Sequence, residues 1–485
     1  LLIVVSLLIG AMNVSAQSPA LSDRFTGEQI QRDLDSLAQW ILAVHPSPFV
    51  HSSSIEFEEA LGTAKNTFAG GATLFGAAQM AAKVCNVIKD SHTGVALQAF
   101  SKQLGGMYGH VPMEIQTVNN RLIVTAIAGN GDALGKEVVS LNGTPSRSVL
   151  GSALALVSQE GDAALARLRM AEKLWNDIAP FAIGAAPGDP VVVEFSDGSN
   201  TVLQVMANDE ISAWHSDSKP AEPLRWEVIK ASENAVAMAL TIGHFHPENA
   251  RAFRKSLKAC FAKVNELEAM PDTAFAGLVI DLRGNSGGNI AVMAELLPYL
   301  IEVPTTLPAG VQVKGSEWAR DRWGSGRFGW VGNQNYLKNL KELNAALGRI
   351  ANDSIAFVPF DRPIRPARRH AYSGPASLLL SGLSASATVS IASWFVRSGR
   401  GETFGEPPMG SISGTFGNPV RVELPETRLS INIASARYFT QKPVRWEASP
   451  LLVDHPVIRN AADHASGADP VLEAALNWHA QLPNP

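Results

Sequence analysis

Gly277-Leu278-Val279-Ile280-Asp281-Leu282-Arg283-Gly284-Asn285-Ser286-Gly287-Gly288 passes from an apolar strand into a glycine-rich turn. Asn289-Ile290-Ala291-Val292-Met293-Ala294-Glu295-Leu296-Leu297 then continues with the pattern of a helix. A strand, a tight turn and a helix together present backbone N–H groups, or a nucleophile, at the edge of a sheet. Within the turn, Gly-Asn-Ser-Gly-Gly makes Ser286 a candidate nucleophilic serine. The alternation of strands and helices around it points to an α/β fold with a largely parallel sheet.

The same alternation extends outward. The pattern predicts strands over Ala235–Thr241, Gly277–Leu282 and Ala376–Ser381. Helices are expected over Pro247–Glu268, from Asn289 to about Tyr299, and over Ala387–Arg397. These elements define an α/β core over 224–485, interrupted by a polar, tryptophan-dotted excursion at 304–360 that reads as a lid or a substrate-facing insertion. Between 105 and 210 the texture is that of a β-rich module with a helical insertion. There Arg121–Thr125 and Pro190–Phe195 are β-branched runs, Asp197-Gly198 marks a hairpin, and Gly135–Pro145 looks like the strand and turn of a PDZ-like unit. Residues 24–100 form a helical region. His45-Pro46-Ser47-Pro48 ends its first helix, and a third helix, about Leu74–Ile88, leads into Asp90-Ser91-His92-Thr93.

Composition narrows the classes of function. A chain of 485 residues suggests about three domains, on a prior of roughly 150 residues each. The net charge of −5, without a basic stripe, argues against nucleic acid as a partner. Residues 1–16 are apolar and end in Val14-Ser15-Ala16, the small-x-small form of a signal-peptide cleavage site behind a truncated start. The expectation is an exported protein, periplasmic or extracellular, with no stable membrane insertion once that segment is removed. Cys85 and Cys260 are the two cysteines, and the sequence leaves open whether they pair.

Two further stretches can carry chemistry. Ser377–Thr388 is a buried strand running into the small residues Ser384-Ala385-Ser386-Ala387 at the start of an apolar helix. A serine there feels the positive end of the helix dipole and has a backbone N–H beside it for a developing oxyanion. The bland alternative is an N-cap serine. In Asp90-Ser91-His92-Thr93, His92 has the pKa to take a proton from a serine and return it to a leaving group, with Asp90 and Ser91 able to orient the ring. His244-Phe245-His246 shows no third metal ligand, and Trp318, Trp323 and Trp330 read as packing before groove. Arg283 and Asp281 read as fixing the turn.

Taken together, these stretches resemble the tail-specific, or C-terminal-processing, serine peptidases, a family that includes the tricorn core. Val279–Gly288 is similar to the family's strand-and-glycine motif, Ser384–Ala387 to its nucleophile segment, and Asp90–Thr93 to its Asp-x-His-Thr segment. Gly399-Arg400-Gly401, Gly405-Glu406-Pro407 and the stretch from Trp446 to Val457 are similar to the family's segments downstream of the nucleophile. The resemblance implies a crotonase-like core and a polypeptide substrate, with no metal or organic cofactor. By position it gives Ser386, not Ser384, as nucleophile, and the turn at Gly287 and Gly288 with Ala387 as oxyanion hole. Many members use a serine–lysine dyad, but here Ser411 stands at the lysine position and Val389 where glutamate is usual. The tricorn-like arrangement of serine, histidine, second serine and glutamate is therefore expected, with His92, Ser91 and Glu447, and Glu406 as competing acid. Two other readings stay open: a non-catalytic member of the fold holding a peptide or apolar ligand, and an α/β-hydrolase-type esterase using Ser286.

Overall fold

The computed structural model describes residues 22–217, 223–270, 274–324, 332–440 and 449–482. Its central element is a six-stranded sheet in the order Arg225–Lys230, Ala235–Thr241, Ala274–Asp281, Ala376–Leu380, Glu402–Gly405 and His455–Pro456. The first pair is antiparallel and every later pair is parallel. Ala376–Leu380 is buried along its whole length, as expected for a parallel strand covered on both faces. The helices Ala250–Glu268 and Ala387–Arg397 pack their apolar faces into one core with this sheet.

Strand and helix positions follow the apolar pattern closely, with one break. Instead of a continuous helix from Asn289 to Tyr299, a short helix Ile290–Met293 is followed by a 3₁₀ turn at Leu297–Tyr299. Pro298, inside that turn, cannot donate the bond a continuing helix requires. The 304–360 segment is more ordered than an irregular excursion. Its strands Gly310–Lys314 and Ile355–Pro359 join Ala436–Phe439 and Gly414–Gly417 in an antiparallel sheet.

The other half of the molecule is organised around a second core. The helices Gly27–Val44, Ser54–Thr67 and Leu74–Asn86 share it with the hairpin Met113–Val118/Arg121–Ile127. The four-stranded sheet containing Val138–Leu141 and Pro190–Phe195 contributes to it as well. Thr26 and Ser53 open the first two helices with reciprocal capping boxes, and the first helix stops at His45 as Pro46 requires. The two halves are joined by a three-stranded sheet. In it Gly94–Val95 pairs with Ser430–Ile433, which pairs with Val420–Glu423. Cys85 and Cys260 are buried free thiols, each in a different core. Among the described residues, no helix is long and apolar enough to cross a membrane. The apolar residues 1–16 lie outside the described residues, as do Glu447 and Trp330.

Candidate active site

The serine side of the site is two strand-to-helix turns lying against each other. Asn285, fully buried, locks them together. Its Nδ2 donates to Ile242 O, its Oδ1 accepts from Gly287 N–H at 2.9 Å, and its carbonyl accepts from Ala385 N–H and Thr388 Oγ1. Gly287 has φ +101°, and a Cβ there would stand 2.6 Å from Ser386 Cβ and 2.9 Å from Ala387 N. Only glycine lets the turns approach this closely. With the Gly287 N–H already bonded to Asn285 Oδ1, Gly287 contributes close approach to this corner.

Ser384 and Ser386, one residue apart, have different fates. Ser384 is buried, donates to Leu282 O at 2.8 Å and accepts from Ser381 N–H, so its hydroxyl is spent on the turn. Ser386 stands at the N-cap of the Ala387–Arg397 helix with φ +56° and ψ −119°, and its side chain makes no capping hydrogen bond. The N-cap reading therefore does not hold for this hydroxyl. A non-glycine residue in that conformation carries strain of order 1–3 kcal/mol, which packed surroundings must offset.

Ser386, Ser286, Gly288 and His92 line one cavity of about 310 Å³, with His246, Arg322 and Tyr336 completing much of its wall. Two of these wall residues, Arg322 and Tyr336, come from the 304–360 segment. Among the described residues, no lysine lines the cavity. Ser411 is buried and bonds to Gly414 O. Trp323 is buried and Trp318 sits 6.2 Å from Trp40, so the described tryptophans of this segment pack elsewhere.

The histidine side is assembled from distant segments. Asp90 is fully buried and accepts from Thr93 Oγ1 at 2.6 Å, His92 N–H at 2.8 Å and His45 Nε2 at 3.1 Å. Ser47 N–H donates to His45 Nδ1, which leaves His45 Nε2 as the protonated nitrogen facing Asp90. Each hydrogen bond to a charged group contributes about 1.5–3 kcal/mol, enough between three of them to offset the several kcal/mol of burying a carboxylate. Burial alone would raise the Asp90 pKa, but the bonds from His45 and His92 hold it below the usual carboxylate range. His92 Nδ1 lies 3.6 Å from Asp90 Oδ1 and 3.3 Å from Ser91 Oγ. Burial favours the neutral ring, yet Asp90 and then Glu160 outweigh it and raise the His92 pKa above the ordinary histidine value.

Glu160 gives no signal in the sequence. It sits between the helices Ser146–Leu154 and Ala164–Lys173, in a segment clasped against the histidine turn. Ser158 Oγ donates to Thr93 O, Gln159 N–H to Asn86 Oδ1, and Gly161 N–H to Lys89 O. The Glu160 Oε2 accepts both the N–H and the O–H of Ser91, at 3.0 and 2.7 Å, and Oε1 accepts Phe416 N–H. Burial, then the nearby Asp90 charge, push its pKa upward. Asp90, His92 and Glu160 place donor atoms within 4.8 Å of one another, the one such three-residue grouping among the described residues. Their oxygens are already filled by Thr93, Ser91 and Phe416, which makes the grouping a hydrogen-bond network before a cation site. His244 and His246 belong to no such grouping.

Glu406 lies elsewhere. It forms a buried bidentate pair with Arg169 and accepts from Gly382 N–H, shaping the loop before Ser384. Arg283 is held by Asp281 and Asp469 at 2.7 Å each, as expected of a residue that fixes the turn.

With this geometry in place, residues 240–454 match the family model described as peptidase family S41. The chain is accordingly a serine peptidase. Mature CPAF has the same fold over nearly the whole length: TM-score 0.62 at 14% identity, covering 93% of this chain and 98% of that one. Mature CPAF complexed with lactacystin gives TM-score 0.60 at 14% identity over the same shares. The photosystem II D1 C-terminal processing protease reaches TM-score 0.41 at 13% identity, covering 88% and 92%. No curated protein matches the chain.

Proposed function

We propose that the chain is an exported endopeptidase that cleaves polypeptides through an acyl-enzyme on Ser386. The observation that carries this reading is the meeting of an uncapped, strained Ser386 and His92 in the wall of one cavity. In the proposed reaction, Ser386 Oγ attacks the peptide carbonyl while His92 takes its proton. The Gly288 and Ala387 N–H groups bind the tetrahedral oxyanion, with Gly287 shaping the corner. His92 then protonates the leaving amine as the C–N bond breaks, and water repeats the sequence on the acyl-enzyme. Ser91 holds the histidine ring, and Asp90 stabilises the imidazolium.

Ser411 at the position where the resemblance expects lysine, buried and bonded to Gly414 O, favours the tricorn-like serine–histidine–serine–acid arrangement over a serine–lysine dyad. The resemblance assigns the acid to Glu447. The parallel strands of the six-stranded sheet suit a crotonase-like core, and the β-rich module over 105–210 is read as a PDZ-like unit that orients substrate. The segment 1–16 is the basis for placing the enzyme in the periplasm or outside the cell.

Fluorophosphonate labelling and casein hydrolysis by Ser386→Ala, His92→Ala and Ser286→Ala variants test the reading. The first two are expected to lose both activities, and Ser286→Ala to stay within about threefold of the parent, as for a residue outside the catalytic group. Full activity in Ser386→Ala would overturn it. Selective loss in Ser286→Ala would hand the nucleophile to the esterase reading. Failure of the unmutated protein to react, with peptide binding intact, would favour a non-catalytic member of the fold.

A further inference from the structure

We propose that Glu160 is the positioning residue that sets the tautomer of His92, acting through the Ser91 hydroxyl. The inference rests on the reading of His92 as general base, and gives Glu160 the role that sequence resemblance assigns to Glu447.

Counting protons decides the tautomer. An ionised carboxylate only accepts hydrogen bonds, and a serine hydroxyl has one proton to give. Ser91 Oγ is 2.7 Å from Glu160 Oε2 and its N–H is 3.0 Å from the same oxygen, so both Ser91 donors face Glu160. The hydroxyl oxygen is then left as an acceptor, and its neighbour at 3.3 Å is His92 Nδ1. Nδ1 therefore carries the proton, and Nε2 keeps the lone pair that a base needs. If Glu160 carried a proton on Oε2, or as an amide turned its nitrogen to that side, it would donate to Ser91 Oγ. The hydroxyl could then turn its own proton toward Nδ1. That places the imidazole proton on Nε2, the wrong tautomer for taking a proton from Ser386.

The surroundings hold Glu160 in this position. Its segment is tied to the histidine turn on both sides, and Ser158 approaches so closely that a Cβ at Gly94 would meet Ser158 Oγ at 2.2 Å. Phe416 N–H fixes the second carboxylate oxygen. Among the described residues, the charged and titratable groups that face Glu160 are Asp90, His92 and Arg437, the last stacked over Phe416 and Phe439. Asp90 opposes ionisation of Glu160 and His92 supports it. Ionisation of Glu160 and the basicity of His92 are thus linked, and both are gained as pH rises.

The test is a double-mutant cycle between Glu160→Gln and Ser91→Ala, with Glu160→Asp and Glu447→Ala beside it. It is read by kcat and KM on a peptide substrate and by 15N shifts of labelled histidine. Wrong-tautomer substitutions in a catalytic triad cost up to about 10⁴ in kcat. Because Asp90 remains, Glu160→Gln is expected to lose roughly 10²–10³-fold in kcat. KM should stay within about twofold, as for an interaction made only in the transition state. Ser91→Ala should lose a similar factor, and the double variant little more, because the two act as one unit. Glu160→Asp should restore part of kcat, and the histidine shifts of Glu160→Gln should report protonated Nε2.

Parent-like kcat in Glu160→Gln, or additive losses in the double variant, would overturn the proposal. So would a cycle in which Glu447→Ala, rather than Glu160→Gln, is non-additive with Ser91→Ala. If Glu160→Gln does not fold, Glu160→Asp with Ser91→Ala closes the same cycle. Activity surviving in His92→Ala would instead bring down the general-base reading itself, so the two failures are distinguishable.

Discussion

The serine side and the histidine side of the cavity are built by opposite means. On the serine side, two neighbouring parallel strands each end in a small-residue turn, and Asn285 bonds one turn to the other. On the histidine side, His92 is oriented by a helix end, a loop between two other helices, and the residue after a strand more than three hundred positions later, through Ala434 N–H to Thr93 Oγ1. The first is local geometry repeated twice, and the second is long-range assembly. A change on the serine side should therefore act on the reacting atoms directly. A change on the histidine side should act through protonation.

The largest expected effect is common to both sides: Ser386→Ala or His92→Ala should lower kcat/KM on the order of 10⁴-fold or more in peptide hydrolysis. If one loses far less, the two sides do not form one catalytic unit. Next is Asp90→Asn, which should lower plateau kcat by roughly 10²–10³-fold as the imidazolium loses its partner. The sign of its pH effect is fixed. Asp90 raises the His92 pKa, so removing that charge lowers it, and the acidic limb of the rate profile should move to lower pH. A limb that moves up would mean that Asp90 acts by some route other than charge.

Gly287→Ala probes the serine side alone. The added Cβ would meet Ser386 Cβ at 2.6 Å in a backbone conformation that disfavours side chains. A loss of about 10²-fold in kcat is expected, comparable with the loss of one oxyanion donor. The acidic limb should stay where it is. A shifted limb in this variant would erase the distinction between the two sides.

This division also explains how far the sequence could be read. The strands Ala235–Thr241 and Ala376–Leu380 and the helix Ala387–Arg397 announce themselves through apolar runs and small-residue boundaries, signals confined to a dozen residues. Ser386 could be separated from Ser384 by resemblance, and the structure adds the physical reason: one hydroxyl is bonded into the turn and the other is not. Glu160 was illegible because Ser158-Gln159-Glu160-Gly161 has the composition of any surface turn. Only contact with Asn86–Thr93 makes it a buried acid. His45 was legible as a helix end but not as the donor that keeps Asp90 charged. Pairing of Gly310–Lys314 with Ala436–Phe439 was hidden for the same reason, since strand partners so distant leave no periodic trace.

The strand Gly94–Val95 has a bearing on when the enzyme exists at all. Its partner, Ile431–Asn432, and the Ala434 N–H that bonds Thr93 are separated from the histidine turn by 341 residues in the case of Ala434. At roughly 5–20 residues per second of synthesis, some tens of seconds pass between the emergence of the two. A ribosome-bound chain lacking that partner holds an N-terminal half whose His92 turn is without its neighbouring strand. On this geometry the nascent peptidase is expected to stay unreactive until residues 430–434 have left the ribosome. Nascent chains stalled before Ala434 should leave a fluorophosphonate unreacted, whereas chains stalled after the C-terminus has cleared the tunnel should take it up.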